Sequence, residues 1–554
     1  MRRFYLFFVV TLAFYLIVFR TLFEVNAFSL LDTEPSYLYY RQYLFSIPTP
    51  FSYFYNFLNS IWWNSPEKIF TVLPFILGTV LFYVMSSYFN LIEWKKWILS
   101  FLFMLNPGTA LILYVGDAPS ILMSYAFGPL VFLLGYRLAK NINLKNFLIL
   151  SLVFIVTNWI YFESFILGFI FLLPILFFAS NKIKFLLASL ASSALSFLSL
   201  VNYEVLVYEI VVPSLNITSA HYIPLYVKEI YYISFYLGIF SIYLFIKKYK
   251  IPSAIVSVSL ILLLSWLVVF VKIPNIPLIN AIFLIFQSFQ QKFILFISGL
   301  VVISFAFLKS WKYIIFILFL MSLANMPCIN LYTQEHVTAY AILTFNANNY
   351  AVCEEFFKLQ KFIYEHPGFY YIGINKTFLL ECNLYSIYKY ENLIPNLLPV
   401  SFSIFGVNAK QLAYEGIKYY LVVSNETPNY SNFKLVFSCG KFHLYENECF
   451  KSIAFSANGE PLNVTVTPCK VIVIGNSTFA KVLVPYYSLW KGAKDCNGYL
   501  GIPMINGYGE AINEAYYINQ YLIIVDFIVL IIISGLLAKL CWSKLRSVIW
   551  LKRM

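Results

Sequence analysis

Residues 68–88 read KIFTVLPFILGTVLFYVMSSY, a run long and apolar enough to cross a bilayer as one helix. A membrane helix needs about 20 mostly apolar residues. Similar runs recur along the chain, near 4–24, 97–115, 120–136, 146–161, 164–180, 185–202, 230–246, 251–271, 293–308, 312–327 and 520–538. The sequence therefore predicts a polytopic α-helical membrane protein with about twelve transmembrane helices.

The overall composition supports this prediction. The chain is 61% hydrophobic and only 11% charged, whereas a soluble domain carries about 25% charged residues. A soluble fold of this length could not bury so much apolar surface. The net charge of +13 sits in short clusters between the apolar runs. Such clusters are typical of topogenic signals, which argues against a nucleic-acid partner.

Lysine and arginine clusters predict the orientation. With Arg2 and Arg3 in the cytoplasm, alternation of the spans places the other basic loops on the same side: Lys95/Lys96, Arg137/Lys140/Lys145, Lys182/Lys184, Lys247/Lys248/Lys250, Lys309/Lys312 and Lys544/Arg546/Lys552/Arg553. Cytoplasmic loops carry such an excess. We therefore expect a multi-pass protein of the cell membrane with both termini cytoplasmic and residues 328–519 outside. An alternative for residues 1–27 is a cleaved signal peptide, since Val25-Asn26-Ala27 resembles a cleavage site.

Asparagine sequons agree with this orientation. Six Asn-x-Ser/Thr motifs all fall on the predicted outer side, at Asn216, Asn375, Asn425, Asn429, Asn463 and Asn476. Together they predict a glycosylated outer face.

The chain divides into three predicted parts. Residues 1–327 form a transmembrane domain of about eleven spans. Residues 328–519 are the long polar stretch, and residues 520–554 are a last helix with a basic cytoplasmic tail. In the polar stretch, the pattern predicts a mixed α/β start, with helices near 351–365 and 408–415 and strands at 370–374 and 419–423. Strand signals then follow at 434–438, 441–446, 452–456, 463–467, 470–474 and 480–485, which predicts a β-sandwich.

Cysteine usage also points to an outer domain. Seven of the eight cysteines lie between Cys328 and Cys496, as suits an oxidising exterior. Cys439 and Cys449 flank a predicted hairpin, so a disulfide between them is the favoured pairing, with Cys353–Cys382 and Cys469–Cys496 as further possibilities. The four histidines are scattered and no cysteine pair has C-x-x-C spacing, which argues against a zinc site.

Few acidic residues remain near the membrane on the outer side. Asp32 and Glu34 lie in the first outer loop and Asp117 in the second. Two carboxylates spaced as in Asp32-Thr33-Glu34 could share a divalent metal such as Mg²⁺ or Mn²⁺, or divide general-base and supporting roles. The simpler alternative is a solvated acidic turn that caps a helix starting at Pro35. The aromatic segment 36–63 that follows predicts interfacial helices.

Three outer cations are placed to bind a lipid phosphate. They are Arg41, Lys272 and Lys292, the last two flanking a proline- and glutamine-containing segment that reads as a re-entrant or interfacial loop. The simpler alternative for each is ordinary snorkelling of a long side chain at the end of a span.

This layout resembles the GT-C superfamily of membrane glycosyltransferases, in which an acidic motif in the first outer loop precedes interfacial helices. The chain most resembles the YfhO-like membrane proteins. The motifs are Tyr419-Tyr420-Leu421-Val422-Val423 with the residues before it, Phe442-His443-Leu444-Tyr445-Glu446-Asn447, and Val484-Pro485-Tyr486 through Gly498. Where relatives often carry an arginine, this sequence has Phe286-Gln287-Ser288-Phe289, so its role would pass to Lys292 or be absent.

The resemblance implies a polyprenyl-phosphate sugar donor, transfer outside the cytoplasm, and a β-sandwich that contacts the acceptor. In that hypothesis Asp32 is the general base or a metal ligand, Glu34 supports it, and Asp117 is a second acid. Lys292 and Arg41 would hold the departing lipid phosphate. The alternative is a non-enzymatic membrane scaffold or carrier of lipid-linked glycan whose outer domain binds a partner. A simple transporter ranks third, because the two halves of the chain show no evident repeat.

Overall fold

The structure, a computed structural model, describes residues 2–551 with internal gaps. Outside the described residues lie 26, 29–56, 59–60, 62–64, 116–118, 161–167, 198–238, 266–289, 309–325, 331–332, 338–339, 348–350, 353, 367–368, 376–396, 401–407, 425–426, 428–429, 468 and 487.

Helices make up the first half of the described chain and the C-terminal segment. The bundle helices are α1 Arg2–Val18, α2 Ser65–Tyr88, α3 Glu93–Met104, α4 Pro107–Val115, α5 Pro119–Ala126, α6 Gly128–Lys140, α7 Leu144–Ile160, α8 Lys182–Phe197, α9 Lys250–Ser265 and α10 Gln290–Ala306. A 3₁₀ helix, Leu173–Phe177, and the helical residues 239–246 complete this part.

The apolar stretch 97–115 is broken between α3 and α4. Pro107 has no N–H and begins a new helix, and Asn106 caps it by accepting a hydrogen bond from the Thr109 N–H at 3.0 Å. The Asn106 amide also donates to the Tyr125 hydroxyl at 3.1 Å, which in turn donates to the Phe103 carbonyl at 2.8 Å. These bonds satisfy backbone groups that a proline break would leave unpaired in an apolar interior.

Ring contacts show that α1 and α2 run antiparallel. Phe7, near the start of α1, stacks on Tyr83 near the end of α2, with ring centroids 4.1 Å apart. At the other end, Phe19 follows α1 and lies 5.0 Å from Phe75 in the first half of α2. One end of the bundle therefore contains the start of α1 and the end of α2, and the other end contains the end of α1 and the start of α2.

One end of the bundle collects basic residues. The Lys95 ammonium donates to the Leu308 carbonyl, which places the start of α3 beside the end of α10. Lys96 forms an ion pair with Glu93 at 3.3 Å. Tyr136, one residue before Arg137, lies 5.0 Å from Phe89, and Phe89 lies 4.8 Å from Phe307. Lys95, Lys96 and Arg137, from two of the predicted cytoplasmic clusters, thus lie at the same end of the bundle, and Leu308 there directly precedes the third cluster in the sequence.

Large apolar side chains are exposed along several helices, and two helical stretches have the length of a span, one of them made of α3 together with most of α4. Tyr5 and Ile17 in α1 are 63% and 62% exposed, as suits side chains that face hydrocarbon. Within the described residues, Lys68–Tyr88 and Glu93–Leu113 are long and apolar enough to cross a membrane. Shorter apolar helices cover parts of five other predicted spans, and the number of twelve spans stays a prediction.

The final helix, α13 Glu514–Leu551, packs along the bundle. Its Phe527 ring lies 5.2 Å from Trp159 of α7, and Ile533 is buried against Leu148 and Ile155 of the same helix. Isoleucines on its other faces are exposed. This segment contains the predicted span 520–538 and is longer than predicted at both ends.

Short strands lie at the opposite end of the bundle from the basic residues. They are β1 Ala27–Phe28, β2 Met326–Asn330, β3 Thr333–Val337 and β4 Ala351–Val352. β2 and β3 form an antiparallel hairpin, and β1 pairs antiparallel with β4. Met326 and Pro327 belong to β2, so the C-terminal boundary of the predicted span 312–327 lies two residues too late.

A mixed five-stranded sheet follows, with the order β6-β5-β7-β9-β8. Its elements are α11 Glu354–Glu365, β5 Tyr371–Asn375, β6 Leu397–Val400, α12 Ala409–Tyr414, β7 Ile417–Val423, β8 Phe433–Cys439 and β9 Phe442–Asn447. β5, β6 and β7 are parallel, and β9 joins β7 antiparallel. The sequence assigned β8 and β9 to the sandwich. That was wrong, because β9 pairs along the whole of β7 and extends the mixed sheet.

The remaining strands form two sheets that share β11. They are β10 Ala454–Ser456, β11 Pro461–Val466, β12 Lys470–Ile474, β13 Phe479–Pro485, β14 Trp490–Lys491, β15 Lys494–Cys496, β16 Tyr499–Pro503 and β17 Tyr508–Asn513. The order is β14-β17-β12-β11-β10-β13-β16-β15, all antiparallel. Alternate residues of β12, such as Val471 and Val473, are fully buried between the sheets, as in the predicted sandwich.

The predicted disulfide Cys439–Cys449 is not formed. Cys439 pairs with Phe442 at one end of the β8–β9 hairpin, and Asn447 pairs with Phe433 at the other end. Cys449 follows Asn447 by two residues, so roughly 17 Å of strand separates the two cysteines, whereas a disulfide requires Cα atoms about 4.4–6.8 Å apart. Both thiols are free, as are Cys469 and Cys496.

Candidate functional site

The first outer loop starts and ends beside a buried lysine. Lys68, in the first turn of α2, is only 2% exposed. Its ammonium donates a hydrogen bond to the carbonyl of Val25 at 2.6 Å. Val25 is the C-cap of the short helix Thr21–Glu24 and immediately precedes the loop that contains Asp32 and Glu34. Lys68 therefore ties the beginning of this acidic loop to the helix that follows it.

The same loop is tied to the predicted outer domain, residues 328–519. Ala27 pairs with Val352 and Phe28 with Ala351. The Ala347 N–H donates to the Thr21 hydroxyl at 3.0 Å. The loop thus leaves the bundle as a strand of a small sheet whose other strand leads into the outer domain.

The second acidic loop begins at the same end of the bundle. Helix α4 ends at Val115, directly before residues 116–118. The β2–β3 hairpin and the short helix Tyr340–Leu343 both pack against α4. Two residues beyond that short helix, Phe345 lies 5.4 Å from Phe19 of the first loop's stem. One short segment of the chain, 340–347, therefore contacts the stems of both acidic loops.

Helix α10, whose first turn contains Lys292, packs directly on α4. A Cβ atom on Gly108 would lie 2.6 Å from the Leu295 Cα atom, so only glycine permits this approach. A Cβ on Gly299 would meet the Tyr125 ring at 2.6 Å. Because Leu295 is three residues after Lys292, the start of α10 sits beside the helix that leads to Asp117.

The side chains predicted to carry chemistry lie largely outside the described residues. This holds for Asp32, Glu34, Asp117, Arg41 and Lys272, and for the sequon residues Asn216, Asn425 and Asn429. Lys292 is placed on α10 and Asn375 on β5 by their backbones. The structure thus brings together the stems of the predicted site, and the roles of these side chains stay predictions.

Lys68 is the site residue that the sequence reasoning missed. It was counted as the first residue of a span and not among the outer cations. A signal was present, because a lone lysine at the outer end of a span runs against the positive-inside rule. A buried lysine near lipid needs a partner or a function.

The metal prediction concerns only the acidic loop. Among the described residues, no group of three or more His, Cys, Asp and Glu side chains is arranged to hold a metal ion. His443, the buried histidine of β9, contacts the Ser438 hydroxyl at 2.9 Å and the Ser424 carbonyl at 3.1 Å. These contacts give it a structural role inside the mixed sheet.

Two predicted glycosylation residues are visible in the outer domain. Asn463 lies on β11 and Asn476 follows β12, and both side chains are exposed to solvent. They are accessible to a glycosylating enzyme in the folded domain, while their modification stays a prediction.

Comparison with known proteins does not identify the chain. No protein-family model matches the sequence. No curated protein resembles it at a significant level. Among solved structures, arabinofuranosyltransferase AftD from mycobacteria superposes with a TM-score of 0.40 and 11% sequence identity, over 92% of this chain. The match spans 41% of that protein's length. A TM-score this low does not establish a shared fold.

Proposed function

We propose that the protein is a membrane glycosyltransferase that transfers a sugar from a polyprenyl-phosphate donor to an acceptor outside the cytoplasm. The observation that supports the proposal is that the stems of the two acidic loops adjoin one segment of the chain. The stem of the Asp32 loop and the end of the helix before Asp117 both adjoin the segment 340–347, at the end of the bundle away from the basic clusters.

Chain length supports a common site for these acids. Asp32 follows Phe28 by four residues and Asp117 follows Val115 by two. Chains of these lengths reach at most about 14 Å and about 7 Å from their described ends. The proposal requires both carboxylates to face one cavity that is open to lipid.

A few residues carry the chemical roles that sugar transfer requires. Asp32 removes the proton from the acceptor's hydroxyl or amide group as the new glycosidic bond forms. Glu34 supports Asp32, and the pair is suited to hold a divalent cation such as Mg²⁺ or Mn²⁺, which would neutralise charge on the donor phosphate. Lys292, Arg41 and Lys272 stabilise the negative charge that grows on the lipid phosphate as its bond to the sugar breaks.

The deciding experiment compares strains that carry the wild-type protein, a deletion, Asp32→Asn or Glu34→Gln. Surface glycans and envelope glycolipids are profiled by mass spectrometry. Asn has the size of Asp but cannot accept the proton, and loss of general-base help costs about 10²–10⁴-fold in rate. We expect Asp32→Asn to reproduce the deletion's glycan defect and Glu34→Gln to give a milder one. Glu460→Gln, at an exposed turn of the outer domain, is the matched control and should behave as wild type.

The alternative of a non-catalytic scaffold predicts a different pattern. A scaffold needs the folded protein but not the Asp32 carboxylate. If Asp32→Asn is inserted in the membrane at the wild-type level and restores the glycan fully, the enzyme proposal is wrong and the scaffold is favoured.

A further inference from the structure

One face of the β-sandwich carries an apolar row that ends in a sequon. Asn463 of β11 pairs with Ile474 of β12, and Ile474 pairs with Tyr508 of β17. Directly paired residues of adjacent strands point to the same face of a sheet. Adjacent strands are about 4.8 Å apart, so the row from Asn463 to Tyr508 spans about 10 Å.

The apolar side chains of this row are unusually exposed to solvent. Ile474 is 56% and Tyr508 is 46% exposed, while the alternate residues Val473 and Gly509 are buried on the opposite face. Ile512, further along β17, is 38% exposed. An isoleucine beside a tyrosine on an open sheet face leaves apolar surface in contact with water. Covering this surface with another apolar group is favourable.

The neighbouring row is polar at both ends and has the half-buried Ile472 in its centre. Thr465 pairs across Ile472 with Glu510, and the Glu510 carboxylate accepts from the Lys470 ammonium at 3.2 Å. An apolar row bordered by a hydroxyl, a carboxylate and an ammonium matches a ligand with apolar ring faces and polar edges. A sugar has this character, whereas a packed protein partner would have to desolvate the ion pair.

We propose that a glycan attached to Asn463 lies across Ile474 and Tyr508 and covers this row. Asn463-Val464-Thr465 is a sequon whose asparagine is exposed at the end of the row, so the first sugars are held beside the apolar surface. In the attachment reaction, the Asn463 amide nitrogen bonds to the anomeric carbon of a lipid-linked glycan. The bond from that carbon to the phosphate oxygen breaks, and the amide proton passes to a base of the host's asparagine-glycosylating enzyme.

The first test is occupancy. Full-length protein is purified from a host that glycosylates asparagine sequons, and glycopeptide mass spectrometry is applied to the wild-type protein. We expect a glycan on Asn463. An unmodified Asn463 overturns the proposal without requiring any variant to fold.

The second test measures whether the Asn463 glycan shields Tyr508 from solvent. Nitration of Tyr508 is followed by peptide mass spectrometry in the wild type, in Asn463→Gln and Thr465→Ala, which remove the sequon, and in Thr465→Ser, which keeps it. We expect Tyr508 to be nitrated several-fold faster in the first two variants and at the wild-type rate in Thr465→Ser. Tyr414, 63% exposed and on α12, controls for reagent dose and should react equally in all of them. Tyr420, only 1% exposed, should stay unreacted in every folded variant.

Two results of the second test contradict the proposal. Equal nitration of Tyr508 with and without the Asn463 glycan means that the sugar points away from the sheet. Faster nitration in Asn476→Gln but not in Asn463→Gln assigns the cover to the neighbouring glycan instead.

Discussion

The Lys68 ammonium and the Val25 carbonyl are 2.6 Å apart and join the two ends of the first outer loop. The bond links two residues that are 43 positions apart in the chain. It closes the base of the predicted first outer loop, residues 26–67. Lys68 therefore positions the loop that contains Asp32 and Glu34.

Replacing Lys68 with Met should test whether this bond positions the loop. Met keeps the length of the side chain but cannot donate, so the Val25 carbonyl loses this donor at a cost of about 1–3 kcal/mol. We expect a lower melting temperature and a glycan defect in the profile described above. Lys434→Met, at an exposed position of β8, should alter neither. A Lys68→Met strain with a wild-type glycan profile would show that the loop holds its position without this bond.

The predicted orientation can be measured with two engineered cysteines. Asn458 lies in an exposed turn of the sandwich and Lys248 in the turn before α9. In intact cells, a membrane-impermeant maleimide should label Asn458→Cys, whereas Lys248→Cys should react only after permeabilisation, because the positive-inside rule places it in the cytoplasm. Peptide mass mapping distinguishes these sites from the native cysteines. The reverse pattern would invert the whole topology.

The outer cysteines should be largely reduced where the structure separates them. Alkylation without reductant, followed by mass mapping, should recover Cys439 and Cys449 as free thiols, since the hairpin places them at opposite ends. Recovery of a Cys439–Cys449 linked peptide would mean that the β8–β9 register is wrong. Adding a reductant should not lower the melting temperature through this pair.

The sequence predicted the positions of the strands better than it predicted which strands pair with each other. Strand signals at 434–438 and 441–446 match β8 and β9 within a residue or two, because local alternation and turn residues determine where a strand lies. The sheet that they join depends on long-range pairing of β9 with β7, for example Tyr420 with Tyr445. Alternation along one strand contains no information about that partner, so the hairpin was assigned to the wrong sheet and given a disulfide.

The candidate site likewise has features that the sequence reveals and features that depend on long-range packing. Acidic motifs near the membrane could be found from Asp32, Glu34 and Asp117 alone. The contact between their stems depends on the packing of 340–347 against Phe19, Thr21 and α4, hundreds of residues away in the chain. Lys68 was overlooked because its importance comes from burial and from a carbonyl partner, neither of which is visible in the sequence.

A tyrosine hydroxyl links the mixed sheet to the β-sandwich. The Tyr371 hydroxyl of β5 donates to the Leu483 carbonyl of β13 at 2.9 Å, which joins the mixed sheet to the sandwich. Burial raises the pKa of Tyr371 above its ordinary value of 10.0, so the neutral donor persists in the folded protein. Because the folded-state pKa exceeds the unfolded one, the stability from this group is fully present below pH 10 and is lost as the pH rises towards the folded value. Tyr371→Phe should lower the free energy of unfolding by about 1 kcal/mol at neutral pH, measured by thermal denaturation of the full-length protein. The difference between wild type and variant should stay constant from pH 6 to 9 and change only in strong alkali. A Tyr371→Phe protein as stable as wild type at pH 7 would mean that this hydrogen bond does not stabilise the contact between the two sheets.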